Sequence, residues 1–206
     1  MLKLAQPRAR GFSLIELLVV VAVLGLVLML GLPNIAIWLQ NTQIRSSAEA
    51  TISGLQLARA EALRRNRLVR FSLVDSLDAG CNVTTAGGNW IVSLADPAGN
   101  CGMDPSDTVD PFIVQKRSNQ DGAPDVTLAA SDSFLTFNGL GSASSPVTLT
   151  PLVGGGVWRI DFSNPAGGAC QTAAGPMRCL RVVVNSSGSV RMCDPAVGDA
   201  TDPRAC

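Results

Sequence analysis

The run Arg10-Gly-Phe-Ser-Leu-Ile-Glu16 leads directly into an apolar segment that reaches Leu32, so one carboxylate, Glu16, stands inside a stretch otherwise free of charge. An acidic side chain at bilayer depth costs about 2.5–3.5 kcal/mol on insertion scales, and such a group is normally kept for a function. The chemistry open to it is pairing with a cation. Six cysteines, at 81, 101, 170, 179, 193 and 206, form no C-x-x-C pair, and histidine is absent from the chain. That combination excludes Ser/His/Asp and Cys/His catalysis as well as the common zinc patterns. Asp75, Asp78, Asp104, Asp107 and Asp110 lack the spacing of a calcium loop. With no glycine-rich phosphate loop either, we expect no enzyme, no metal and no cofactor.

The elements that must position these groups follow from the pattern. Residues 12–32 are 21 apolar positions broken only by Ser13 and Glu16, roughly 31 Å of helix at 1.5 Å per residue and enough to cross a bilayer. The preceding residues 1–11 carry Lys3, Arg8 and Arg10 and no acid, a basic cytoplasmic flank. A secretory signal peptide would follow its apolar core with small residues, whereas this one ends in Leu32-Pro33-Asn34. The span 12–33 therefore reads as a transmembrane helix, with Pro33 kinking it or loosening one turn rather than ending it.

Beyond it, Ile37, Leu39, Ile44, Ala48, Ile52, Leu55, Ala58 and Ala62 recur at largely helical intervals, with Gln43, Arg45, Glu49 and Arg59 elsewhere. This predicts an amphipathic helix over 34–67, continuous with the apolar one from Phe12 to about Arg65. Short apolar, β-branched runs at 68–73, 90–94, 112–115, 134–137, 147–149, 157–162, 180–185 and 190–192 alternate with Gly, Asn, Asp and Pro clusters. They read as strands of an antiparallel sheet region. The stretches 76–88, 95–110 and 163–178 read as loops. The predicted architecture is one α+β head over 68–206, packed on the amphipathic helix. An even cysteine count after an export-type segment implies disulfides in an oxidising compartment. Six cysteines allow 15 pairings. Local pairing, Cys81–Cys101, Cys170–Cys179 and Cys193–Cys206, is expected because each closes a loop rich in Gly, Pro, Asp or Asn.

Charge is balanced at 16 basic and 16 acidic residues, but without residues 1–11 it becomes 13 against 16. The chain is not globally basic, which argues against nucleic acid as a default partner. Arg59, Arg64, Arg65, Arg67 and Arg70 cluster where the long helix should end, and cations there stabilise the helix dipole. Asn82-Val-Thr84 and Asn185-Ser-Ser187 match glycosylation sequons, a pattern common by chance.

The junction of a basic leader ending in Gly11 with Phe12, followed by Glu16 in an apolar run, resembles the class III signal of type IV prepilins and type II secretion pseudopilins. The resemblance implies that a prepilin peptidase removes residues 1–11 by cutting between Gly11 and Phe12, then methylates the new amine. It implies that Glu16 serves assembly, facing the amine of a neighbouring subunit, whose ordinary pKa is near 8. The run Ala58-Arg59-x-Glu61-Ala62, then Arg65-Asn66-x-x-Val69, closely resembles the GspH/FimT family of minor pilins and minor pseudopilins. Asn89-Trp90-Ile91-Val92 with Asp96, and Phe134-Leu-Thr-Phe-Asn-Gly-Leu-Gly141, resemble its later strands more loosely. The six cysteines and the 163–178 loop are not part of that pattern.

The family fold implied is type IV pilin-like, a long N-terminal helix leaning on an antiparallel β-sheet or sandwich head. The implied function is a minor type IV pilin at or near the pilus tip that helps initiate assembly. The matching minor pseudopilin of type II secretion remains open. Implied partners are the prepilin peptidase, other minor pilins and the major pilin or pseudopilins. The implied location is the inner membrane with a periplasmic head, then the filament. Some family members bind DNA through a C-terminal Gly-Arg-x-Arg element before a cysteine. Here the matching run is Gly188-Ser189-Val190-Arg191-Met192-Cys193, with serine at the first arginine position. Arg178, Arg181 and Arg191, with Arg204, are the candidate contacts, opposed by Asp194, Asp199 and Asp202. DNA binding is not favoured.

Replacing Gly11 with leucine should abolish processing. On a denaturing gel of membranes containing the peptidase, the variant should stay at the mobility of the full chain while the wild type shifts.

Overall fold

The computed structural model describes residues 12–144 and 156–206; the side chains of 30–34, 156 and 157 are not described. The expected strand at 147–149 and the leader with Gly11 lie outside the described residues. A 52-residue helix, α1 (Leu14–Arg65), runs on through Pro33, as expected of a helix whose amphipathic pattern resumes after the proline. The chain divides into two compact units, 1–38 and 39–206.

Within the second unit, two antiparallel sheets form. The first has the order β3-β2-β1-β5-β6, built from β1 (Val69–Val74), β2 (Asn89–Ser93), β3 (Ile113–Arg117), β5 (Phe134–Phe137) and β6 (Ala143–Ser144). The second has the order β4-β7-β8-β9, from β4 (Thr127–Ala130), β7 (Gly156–Ser163), β8 (Leu180–Asn185) and β9 (Val190–Cys193). β4 and β6 are additions to the expected strands. β4 has only four residues and β6 two, too short for a period-2 signal to emerge from the sequence.

Helix positions Ile44, Ala48, Thr51, Leu55, Ala58 and Ala62 form the buried seam, at alternating spacings of four and three. Alanines let the backbone approach the sheets closely. Thr51 fits because its hydroxyl donates to the carbonyl of Ser47 at 3.0 Å, removing the cost of an unsatisfied polar group. Opposite the seam, Val69, Phe71 and Leu73 of β1 share a core with Trp90, Val92, Leu135, Phe137, Trp158, Ile160, Phe162, Val182 and Val184. Phe71 lies between the two tryptophans, 5.3 Å from Trp90 and edge-on to Trp158 at 5.8 Å. The indole of Trp158 donates to the carbonyl of Asp132 at 2.9 Å.

The other face of the first sheet is covered too. Val74, Ile91 and Ile113 form a second cluster with the half-cystines Cys81 and Cys101. The loops between β1 and β3 therefore act as a lid over that face. Lys116 fixes the lid by donating to the carbonyls of Cys101, Gly102 and Met103 at 3.3, 3.1 and 2.9 Å. The 163–178 stretch contains two short 3-10 turns, Pro165–Gly167 and Gln171–Ala173. It docks on the helix through Asn164, which donates to Gln43 at 3.1 Å, and through the amide of Arg178, which donates to Asn41 at 2.7 Å.

α1 ends for a local reason. Asn66 takes a left-handed conformation (φ 49°), and the amide of Arg67 reaches back to the carbonyl of Ala62 at 3.3 Å. This is a Schellman-type C-cap with asparagine in the usual glycine position. A closer constraint sits one turn inside the seam. A Cβ on Gly54 would lie 2.7 Å from Cη2 of Trp90 and 3.0 Å from Cε2 of Phe71. Gly54→Val should destabilise the head by about 1–3 kcal/mol through overpacking, read as a lower denaturation midpoint.

Candidate functional site

At the start of α1, Ser13 is the N-cap residue. Its hydroxyl accepts from the amide of Glu16 at 3.2 Å, and its carbonyl accepts from the amide of Leu17 at 3.2 Å. Ser13-Leu-Ile-Glu16 therefore has the sequence of a capping box, with serine satisfying an otherwise orphaned helix donor. That signal was legible in the sequence and was missed there because Glu16 was weighed only as a charge. The carboxylate sits in the first turn, where the helix dipole favours an anion. Phe12, whose amine would be the new terminus after the expected cut, is 83% exposed.

Every described side chain from 12 to 29 is exposed. Leu14, Ile15, Leu17, Val19 and Val20, which together face all directions around the helix, are at least half exposed. A helix apolar on every side requires an apolar surrounding supplied from outside the chain. Counting only residues with described side chains, no helix is long and apolar enough to cross a membrane. The expected span, 12–33, includes 30–33, whose side chains lie outside that description.

In the head, Cys81 pairs with Cys101, Cys170 with Cys179, and Cys193 with Cys206, leaving no free cysteine. The first bond anchors the lid on the first sheet. The second closes the 163–178 loop, and the third ties the segment after β9 back to the end of that strand.

The arginines proposed for DNA sit near one another but are engaged. In the β8–β9 register Arg181 faces Cys193 and Val183 faces Arg191, so Arg181 and Arg191 share the outer face of the second sheet. Arg181 bonds Asp161 at 2.5 Å, and Arg178 bonds Asp194 at 2.7 Å. Arg191 donates to backbone oxygens of Ala205 and Cys206 at 3.2 and 3.1 Å. Arg204 pairs with Asp202 at 2.6 Å, which holds that carboxyl down at about 2. The geometry brings three acids against four guanidiniums. It does not build an open cationic face from them.

The second arginine cluster splits around the last turns of α1. Arg59 donates to the carbonyls of Gly141 at 3.2 Å and Ser187 at 3.3 Å, latching a turn from each sheet to the helix. Gly188 is required there: with φ 76°, it leaves no room for a Cβ against the carbonyl of Gly141. Arg70 stacks 3.5 Å above the ring of Phe134 and pairs with Asp96 at 3.2 Å. Its burial pushes its pKa down, with Asp96 opposing. On the other flank, Glu61 accepts from Arg64 and Arg65, both at 2.6 Å, and Arg65 also reaches Asp107 at 2.6 Å. These arginines are thus mostly structural: they hold loops to the helix end.

Two family models match the chain. The one described as Type II transport protein GspH covers residues 47–188, and the one described as Prokaryotic N-terminal methylation motif covers residues 6–32. The first stops before Arg191. No curated protein matches. Similar solved structures include two crystal forms of the type IV minor pilin FimU of Pseudomonas aeruginosa. They are 15% and 17% identical and cover 72% and 73% of this chain and 90% and 88% of their own, each with a TM-score of 0.43.

Glu61 generates a pH dependence. Hydrogen bonds from Arg64, then those from Arg65, hold its pKa below the ordinary 4.5 against an opposing desolvation effect. Its contribution to stability is therefore complete above about pH 4.5 and is lost as pH falls through the depressed folded value. Denaturation midpoints measured between about pH 6 and pH 3 should fall less steeply for Glu61→Gln than for the wild type.

Proposed function

The chain belongs to the GspH family of minor pilins and minor pseudopilins, and from that premise we propose that it is a minor type IV pilin which helps initiate filament assembly at or near the pilus tip. The methylation motif implies processing by a prepilin peptidase and assembly with other pilins. On this reading, residues 1–11 are removed at Gly11–Phe12 and 12–33 serve first as the membrane anchor, then as filament core. Residues 34–65, two short of the expected 67, form the helix of a periplasmic head over 68–206.

The observation that carries the reading is the pairing of an all-round exposed apolar helix with one carboxylate in its first turn. Bundled helices of neighbouring subunits would cover the apolar surface in place of lipid. The buried Glu16 would then need a cation, and the Phe12 amine of a neighbour supplies one at the corresponding depth. A charge pair of this kind sets axial register, because removing one partner leaves the other buried and uncompensated. Three disulfides suit a head exposed outside the cell.

A second reading, a minor pseudopilin of type II secretion, draws support from the printed description of the matching family. The two predict different losses. Deleting the gene should remove surface pili on the first reading and leave pili intact while stopping protein secretion on the second.

Glu16→Ala should insert in the membrane and be cleaved like the wild type, yet be depleted at least tenfold from sheared filaments. Equal abundance in the filament fraction, measured by immunoblot, would refute the assembly role of this carboxylate.

A further inference from the structure

From Phe12 to Ile44 the sequence holds a single ionisable side chain, Glu16, and neither lysine nor arginine. Helices that cross a bilayer are anchored at their ends in two ways. Lysine or arginine reaches out to the headgroups, or the rings of tryptophan and tyrosine sit among them. With residues 1–11 removed, the first way is closed to this helix. Tyrosine is absent from the chain, and of its three tryptophans two belong to the head core. Trp90 packs on Phe71, and Trp158 donates its indole N–H to the carbonyl of Asp132. Trp38 is the exposed one, at 65%, and Ile35 on the same face of α1 is 54% exposed.

The place of Trp38 along the helix fits the layers of a membrane. The span 12–33 is roughly 33 Å long at 1.5 Å per residue, close to the thickness of the hydrocarbon core. At the same rise Trp38 lies about 7 Å beyond Pro33, and the headgroup layer on each side is about 5–8 Å deep. Polar contacts of the head begin just after it: Asn41 accepts from the amide of Arg178 and Gln43 from Asn164. An indole suits the layer between hydrocarbon and water because its ring is apolar and its N–H polar. The Ile35 side chain adds apolar surface on the side nearer the span.

We propose that Trp38, with Ile35 beside it, seats in the headgroup layer of the bilayer and anchors the end of the membrane helix nearest the head. The partner is a lipid surface, met before the subunit enters a filament. The inference rests on 12–33 being the membrane span, and it assigns a lipid contact to the turn that follows. Glu16 and Trp38 then mark the two ends of the anchor, one by charge and the other by an amphipathic ring.

Tryptophan fluorescence of the full chain in phosphatidylcholine vesicles tests the contact. Trp90 and Trp158 are 3% and 0% exposed, so they give a background that a Trp38→Phe variant isolates. The signal lost in that variant should be quenched at least twofold more by lipid brominated high on its acyl chains than by lipid brominated near their ends. It should also resist iodide added to the water. Strong quenching by iodide with none by either lipid would overturn the proposal. Protection from iodide and bromine alike, as cover by a neighbouring subunit would give, would overturn it equally. Flotation of the chain with the vesicles, scored separately, reports on the span. A chain that floats but exposes Trp38 to iodide refutes only the interfacial contact, whereas one that stays in the aqueous fraction refutes both.

Discussion

The head is organised by how closely one helix can approach two sheets. Small residues along the seam, Ala48, Ala58 and Ala62 with Gly54 beside them, keep that distance short. Trp90 and Phe71 take up the space where Gly54 has no side chain, and Phe71 passes the contact on to Trp158 in the second sheet. The sheets are thereby tied to each other through the helix they share. Buried apolar area supplies the driving force, but this shape decides which arrangement collects it. Volume added at the seam must displace aromatic rings rather than flexible chain ends.

Much of this was legible beforehand because its causes are periodic. The α1 pattern continued past Pro33, and the runs at 134–137 and 180–185 matched their strands in full. β1 and β2 gave weaker alternation, for a physical reason. Their residues are buried on both faces, one against the helix and the other beneath the disulfide-anchored lid. A strand covered twice reads as a continuous apolar run rather than a period of two. β4 and β6 were not legible because four and two residues are too few to show a period of two, and β4 pairs with the distant β7. The lid's attachment by Lys116 is likewise a tertiary fact: no local pattern shows which carbonyls a lysine will find.

The functional residues divide the same way. Glu16 and the Gly11–Phe12 junction stand out by violating the apolar pattern around them. The arginines do not, and their number alone does not show how many are committed to the fold. Asp161, Asp194, Asp96 and Asp107 reach their arginines from other strands and loops, while Glu61 and Asp202 lie on the arginines' own segments. A guanidinium that bridges elements is committed to the fold, and little of its charge is left for a polyanion. Ser189 in the element that resembles a DNA-binding motif points the same way.

The choice of arginine has a practical side. The sequence has two lysines, Lys3 and Lys116, and the first lies in the segment expected to be cut away. The other has its ammonium held by three carbonyls of the lid. Reagents that acylate amines would find almost nothing to modify on such a subunit, especially if its terminal amine is methylated and packed against a carboxylate. Filaments stained by amine-directed dyes would display their other components and leave this one dark.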